Sequence, residues 1–186
     1  CPICGMALEP VMPSLDEGEN PELTDFRRRF RWTLPLSIAV LVYAARVAGT
    51  PTALVVVWAL VSIGALASSY LAIRSGWSRR LADPSLTLPQ MLCAISSSAM
   101  GYAMAGSMRG GTFPVLLVIL MFGMFQLRPR TMARVCLFTA AVFGTVMAVM
   151  SQRQPQVYEP AVELGHFLML AVTLPAVALL AGRLTR

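Results

Sequence analysis

The sequence predicts an all-α membrane protein with six transmembrane helices, both chain ends in the cytoplasm, and a short irregular N-terminal tail. The first observation is composition: 56% of the 186 residues are hydrophobic and only 13% are charged, more apolar than a water-soluble core requires. The second is that apolar runs long enough to cross the roughly 30 Å hydrocarbon core of a bilayer recur along the chain. The third is that arginines concentrate in alternate connections between those runs.

The N-terminal tail differs from the rest of the chain. Its first 26 residues contain six acidic side chains, four prolines and no basic side chain. So little apolar material cannot form a core, and we expect an irregular segment unless a metal ion organises it. An arginine cluster at residues 27–31 then marks the change to apolar sequence. We therefore predict a cytoplasmic tail over residues 1–31 and a transmembrane domain over residues 32–186.

Six apolar runs follow the tail, and a helix needs roughly 20 residues to span a bilayer. The second run is the cleanest. The first is weak because Pro35 and Arg46 bracket it, and the fourth is short unless Arg128 extends its aliphatic stem along the helix. Pro175 in the sixth run removes one backbone hydrogen bond, which predicts a kink. The runs lie at about 33–49, 52–73, 90–108, 113–127, 134–151 and 161–182.

The fifteen basic residues, all arginine, indicate the orientation, because cytoplasmic loops of membrane proteins retain positive charge. With a cytoplasmic N-terminus, twelve arginines fall on the cytoplasmic side and three on the other. The arginines are scattered between apolar runs, so we read them as topology signals and expect no nucleic-acid partner. The cytoplasmic set is Arg27, Arg28, Arg29, Arg31, Arg74, Arg79, Arg80, Arg128, Arg130, Arg134, Arg183 and Arg186, and the other set is Arg46, Arg109 and Arg153.

A thiol pair opens the tail, in CPICGMALEP followed by NPELTDFRRRF. Residues 1–31 resemble the segment that precedes the first membrane helix of copper-translocating P-type ATPases. The resemblance implies that Cys1 and Cys4 are soft ligands for Cu(I) or Zn(II). In a reducing cytoplasm they would be thiols or metal thiolates and not a disulfide. The phosphorylation motif and nucleotide-binding domain of that family are not in these 186 residues, so we expect no transport by them alone.

A second resemblance covers about residues 52–186. The stretches RSGWSRRLADPSLTLPQM at 74–91, RGGTFPVLLVILMFGMFQLRPR at 109–130 and QVYEPAVELGHFLMLAVTLPAVALLAGRL at 156–184 are similar to the membrane input region of bacterial diguanylate cyclases. That family implies a sensory domain in the lipid bilayer of the bacterial inner membrane. The small residues Gly101 with Ala105, and Gly106 with Gly110, are four apart, which lets helices pack closely and suggests a homodimer. Its sixth helix would lead to a cytoplasmic GGDEF domain that makes cyclic di-GMP. These residues include no such domain, so we expect no enzyme here, although the full-length protein would be a cyclase.

Two resemblances in one chain imply a natural fusion or a spliced sequence, with a junction between about Arg31 and Thr52. The leading interpretation is a sensory module of a cyclic di-GMP signalling protein. An alternative is an N-terminal fragment of a copper-translocating ATPase. A third, a metal-responsive signalling protein, would unite the two.

Glu163 and His166 are the candidate sensing residues. They are three apart and therefore share a helix face, and ionisable side chains at membrane depth suggest a functional site. The spacing also occurs in carboxylate-bridged metal sites of helical bundles. The competing structural interpretation places Glu163 in water at the headgroups while His166 hydrogen-bonds a neighbouring helix. The sequence indicates no catalytic residue and no site for an organic cofactor.

Overall fold

A computed structural model describes residues 49–80 and 86–184, together with four helical positions before them, Ala39, Val42, Tyr43 and Arg46. This part of the chain is helical without strands. Two short 3₁₀ segments, Trp77–Arg80 and Gly106–Gly111, lie between the longer helices. The α-helices are α1 (Thr52–Arg74), α2 (Thr87–Met104), α3 (Thr112–Gln126), α4 (Pro129–Arg153) and α5 (Pro160–Leu184).

Four segments of the described chain are long and apolar enough to cross a membrane: Thr52–Arg74, Gly106–Gln126, Pro129–Arg153 and Pro160–Ala181. They confirm the prediction of a helical, multi-pass membrane protein. A count of six is not shown. The first predicted run falls almost wholly outside the described residues, as does the boundary at residue 31. The third run forms α2, whose 18 residues include Gln90 and three consecutive serines, and these polar groups lower its hydropathy.

Helix ends differ from the predicted runs where glycine or proline sets the backbone. The third run was predicted to extend to residue 108, but α2 ends at Met104 because Gly106 adopts a left-handed φ of 55°, a conformation that glycine accepts without steric cost. The chain then continues as the 3₁₀ segment Gly106–Gly111. Pro129 lies in the first turn of α4, where its missing N–H costs nothing, so this helix begins five residues before the predicted run.

The core lies among α2, α3, α4 and α5, and α5 packs most extensively against α4. The buried side chains are mainly apolar and include Ile95, Leu116, Leu120, Met132, Val135, Phe143, Leu170 and Leu174. α1 lies to one side, because Val55 is its single buried residue. Its remaining apolar surface suits contact with lipid, where hydrophobic side chains need no protein cover.

Polar groups join α1 to α2. The indole Nε1 of Trp58 donates to the Ser97 carbonyl at 3.0 Å and lies 2.9 Å from the Ser97 hydroxyl. The Ser62 and Ser97 hydroxyls are 2.8 Å apart. Gly101, one of the small residues predicted to allow close packing, faces this contact, and a Cβ there would lie 3.5 Å from Cζ2 of Trp58. These bonds hold α1 against the core despite its small buried area.

Candidate functional site: a buried polar network

Glu163 lies in the first turn of α5 and is buried, with 4% of its surface exposed. Its Oε1 accepts a hydrogen bond from Nε of Arg109 at 2.6 Å, and its Oε2 accepts one from the Tyr102 hydroxyl, also at 2.6 Å. A buried carboxylate is tolerated when it is paired and hydrogen-bonded. Both oxygens of Glu163 meet that condition. The placement of this side chain in water is therefore wrong. The other half of that interpretation, a hydrogen bond between His166 and a neighbouring helix, agrees with the contact of His166 to Tyr102.

Arg109 belongs to the 3₁₀ segment Gly106–Gly111 and is 6% exposed. Besides its bond to Glu163, it donates from Nη1 to the Gly106 carbonyl at 2.9 Å. Its guanidinium carbon lies 4.8 Å from the centroid of the Tyr158 ring, a distance at which a cation is attracted to the aromatic face. The short 3₁₀ turn thus directs a charged side chain inward to the carboxylate.

Tyr158, in the connection between α4 and α5, is also part of the network. Its hydroxyl donates to the Ala103 carbonyl at 2.7 Å, near the end of α2. Burial raises the pKa of the Tyr158 hydroxyl above its usual value, which keeps it a protonated donor. Tyr158 therefore fixes the connection to α2 and provides an aromatic surface for Arg109.

Tyr102 joins α2 to α5. It is fully buried, and its ring packs edge-on against Phe143 of α4 with centroids 5.9 Å apart. Its hydroxyl contacts Glu163 and also lies 2.7 Å from Nδ1 of His166. The half-buried His166 ring has its centroid 5.1 Å from that of Phe113 on α3. A single tyrosine hydroxyl thus contacts both residues that the sequence singled out.

Together these contacts join α2, the 3₁₀ segment and α5 in one network. No buried side-chain nitrogen or oxygen in the described part of the chain lacks a hydrogen-bond partner. One cation, Arg109, balances one anion, Glu163, so the network is neutral when His166 is neutral. Such a network can respond to a proton or to a polar ligand, because a change at one member alters the bonds of the others.

A groove beside the network, with a volume of about 470 Å³, runs between α4 and α5. Its α4 wall is built from small side chains, including Ala140, Gly144 and Ala148, and Glu163 and Phe167 line its α5 wall. The helices approach closely at Gly144, where an added Cβ would lie 2.9 Å from Cε2 of Phe167. The groove therefore borders a close contact between α4 and α5.

The described residues do not test the predicted metal ligands. Cys1 and Cys4 lie outside the described residues. Of the other two cysteines, Cys93 is exposed on α2 and Cys136 is buried on α4. Across the described ranges, no group of three or more His, Cys, Asp or Glu side chains is arranged to hold a metal ion. Within those ranges, Glu163 and His166 have no third side chain of these types beside them.

The sequence interpretation missed Tyr102, Arg109 and Tyr158. One signal could have identified Arg109, because it is one of three arginines assigned to the side of the membrane on which α5 begins. A carboxylate within a membrane-spanning helix, such as that of Glu163, needs a cation nearby. Arg109 follows directly on the end of the apolar run at 90–108. Nothing comparable distinguishes Tyr102 from other aromatic residues of the core.

Comparison with known proteins places the similarity at the N-terminal end of the chain. A stretch of 42 residues is 55% identical to a copper-transporting P-type ATPase from Rhizobium leguminosarum bv. viciae, covering 22% of this chain and 5% of that protein. A 42-residue match is 50% identical to a copper-exporting P-type ATPase from Legionella pneumophila, covering 23% and 6%. A third, to a silver exporting P-type ATPase from Salmonella typhimurium, is 48% identical and covers 23% and 5%.

The chain thus spans about 5–6% of the length of these curated relatives. No protein-family model matches the chain, and no solved structure matches it. Nothing in the comparisons supports the resemblance of residues 52–186 to the input region of diguanylate cyclases. The structure shows a multi-pass helical membrane protein. The comparisons show that its N-terminal stretch is similar to copper- and silver-transporting ATPases.

Proposed function

We propose that the chain belongs to a copper-handling membrane protein, in which Cys1 and Cys4 of the N-terminal tail bind Cu(I). The observation that carries the proposal is the 42-residue N-terminal match to two copper ATPases and a silver ATPase. The donor set fits this metal, because thiolates are soft ligands and two of them can hold Cu(I) in linear coordination. The same two thiolates are only half of a tetrahedral zinc site.

The membrane part gives this tail its location. Four apolar helices would anchor it at a bilayer, and the excess of arginine on one side favours a cytoplasmic tail at the bacterial inner membrane. Copper bound by the tail would be transferred to other parts of a larger protein, or would be sensed by them. Transport would need a phosphorylation domain and a nucleotide-binding domain in addition to these residues.

The proposal can be tested with the whole chain in detergent micelles. We expect Cu(I) to bind in competition with a chelator, and the double variant Cys1→Ser/Cys4→Ser to lose that binding. The matched control is Cys93→Ser/Cys136→Ser, which removes the same number of thiols from the membrane helices and should bind as the wild type does. Copper retained by the first variant and lost by the second would refute the proposal.

A second candidate function is favoured by the polar network: a membrane sensory module that regulates a cytoplasmic enzyme such as a GGDEF cyclase. α5 carries Glu163 and His166 near one end and continues to Leu184 at the other. At 1.5 Å per residue its 25 residues extend for about 37 Å, enough to cross the bilayer. A displacement at the network would therefore be carried by one helix to the opposite side.

This candidate is tested by attaching a GGDEF domain after Arg186 and measuring cyclic di-GMP in cells. Output that depends on the membrane part, and that changes when the network is altered, supports a sensory module. Output equal to that of the GGDEF domain alone would exclude it. Sequencing the gene beyond Arg186 separates the two candidates directly, because a phosphorylation domain there supports an ATPase and a GGDEF domain supports a cyclase.

A further inference from the structure

The hydrogen bonds of the network determine where the ring proton of His166 lies. Glu163 is ionised through its pair with Arg109, and an ionised carboxylate only accepts hydrogen bonds. The Tyr102 hydroxyl, 2.6 Å from Oε2 of Glu163, must therefore donate to it. A tyrosine has one hydroxyl proton, so the same hydroxyl can only accept at its second contact, 2.7 Å from Nδ1 of His166. Nδ1 must then carry a proton.

The other ring nitrogen is left as the basic one. A neutral imidazole carries one ring proton, and with that proton on Nδ1 the lone pair belongs to Nε2. Among the described residues, Nε2 of His166 has no hydrogen-bond partner, and the ring is only half buried. This unprotonated nitrogen is the atom at which the ring can take up a second proton.

We propose that His166 is the proton-binding group of this network, with Tyr102 and Glu163 holding its ring as the Nδ1–H tautomer so that Nε2 accepts a proton from the aqueous phase. Binding converts the neutral ring to an imidazolium ion, and Glu163 then balances two cations in place of one. The proposal deepens the candidate sensory function by naming its signal, and it rests on that function only for the effect of the proton downstream.

The charged and titratable groups around His166 are few in the part of the chain that the structure describes. Glu163 lies on the same helix, Tyr102 faces the ring from α2, and Arg109 reaches Glu163 from the 3₁₀ segment. α3 presents the uncharged ring of Phe113, and α4 presents Phe143 behind Tyr102. Burial of the ring and the Arg109 guanidinium oppose the imidazolium, and the Glu163 carboxylate favours it. Proton uptake by His166 therefore depends on the Arg109–Glu163 pair staying intact.

Nitrogen NMR can test the proposal, because His166 is the one histidine of the chain. The whole chain, labelled with ¹⁵N-histidine, purified without a histidine tag and reconstituted in lipid nanodiscs, gives signals from this ring alone. At neutral pH we expect Nδ1 to appear protonated and Nε2 unprotonated. On acidification Nε2 should become protonated reversibly while Nδ1 stays protonated.

Two tyrosine variants test whether the hydrogen bond to Tyr102 sets the tautomer of His166. Tyr102→Phe removes the acceptor of the Nδ1 proton and should yield a mixture of tautomers. Tyr158→Phe makes the same chemical change in the same network without touching His166 and should leave the Nδ1–H form. An Nε2–H tautomer in the wild type, or failure of Nε2 to protonate before the chain unfolds, would overturn the proposal even if neither variant folds. A failed GGDEF fusion would leave this result unaffected, so the two ideas can fail separately.

Discussion

Arg109 and Glu163 are 54 residues apart in the chain, yet their side chains form a buried ion pair with Nε and Oε1 2.6 Å apart. The pair connects the segment after α2 to the first turn of α5. Each partner also has a second bond, from Arg109 to the Gly106 carbonyl and from Tyr102 to Glu163. Because both charges are withdrawn from solvent, each depends on the other for its stability.

This dependence predicts a large and non-additive effect of mutation. Arg109→Ala leaves an uncompensated carboxylate in the core, a change that costs about 3–5 kcal/mol in buried ion pairs. The double variant Arg109→Ala/Glu163→Ala removes both charges and should be more stable than Arg109→Ala alone. Thermal or denaturant unfolding in detergent measures the difference. Arg153→Ala serves as a control because Arg153 is exposed at the end of α4, and it should change stability little.

If Arg109→Ala, Glu163→Ala and the double variant all lose the same small amount of stability, the pair is not buried in the folded chain. The Nδ1–H tautomer of His166 would then no longer follow from the hydrogen bonds, because it requires an ionised Glu163.

A second prediction concerns the approach of α4 and α5. Gly144→Val places branched carbons where a single Cβ already comes within 2.9 Å of the Phe167 ring, so the two helices must separate or the ring must move. Overpacking of this kind costs typically about 1–3 kcal/mol. Gly165→Val is the matched control, since nothing lies within 4 Å of a Cβ at that position. Equal unfolding midpoints for the two variants would contradict the close approach.

The sequence predicts the local part of this fold and not the long-range part. The extents of α1 and α5 follow from the apolar runs at 52–73 and 161–182 to within two residues, because the bilayer sets a minimum length for an apolar helix. The end of α2 could not be predicted, because it depends on the left-handed backbone of Gly106. Composition is insensitive to a single φ angle.

The candidate site also has a part that the sequence predicts and a part that it does not. Glu163 and His166 could be paired from their spacing alone, because residues three apart share a helix face. Tyr102 is 61 residues from Glu163 and 64 from His166. Its contact depends on how α2 packs against α5, which no local pattern encodes. The proposal that Cys1 and Cys4 bind a metal rests on the N-terminal resemblance, which the comparisons support for that stretch.

The orientation in the membrane is a third prediction, and it follows from the twelve-to-three distribution of arginine. A reporter that is active only outside the cytoplasm should be silent when fused after Arg80, Arg130 or Arg186. It should be active when fused near Gly110 or Gln156. Arg109 is buried and paired, so it adds little to the positive charge of its loop, and discounting it strengthens the asymmetry. Reporter activity after Arg186 would contradict the cytoplasmic C-terminus and any cytoplasmic enzyme attached there.

The last prediction concerns whether Cu(I) binding by the tail and signalling by the membrane part are functions of one protein. With a GGDEF domain fused after Arg186, a metal-responsive module should change its cyclic di-GMP output when copper is added. The change should disappear in Cys1→Ser/Cys4→Ser, because the thiolates that bind Cu(I) are gone. It should persist in His166→Ala if the tail and the polar network act independently. The measurement is cyclic di-GMP per amount of membrane protein, so that a loss of folded protein is not mistaken for a loss of signalling.

The control for this experiment is Cys93→Ser/Cys136→Ser, which should respond to copper as the wild type does. If copper leaves output unchanged in every variant while the tail binds Cu(I), the tail and the membrane domain have separate functions. A response lost in His166→Ala at normal abundance would instead place the polar network on the route from tail to output. In that case α5, the one helix shared by Glu163, His166 and the C-terminal end, is the structural element that would carry the signal.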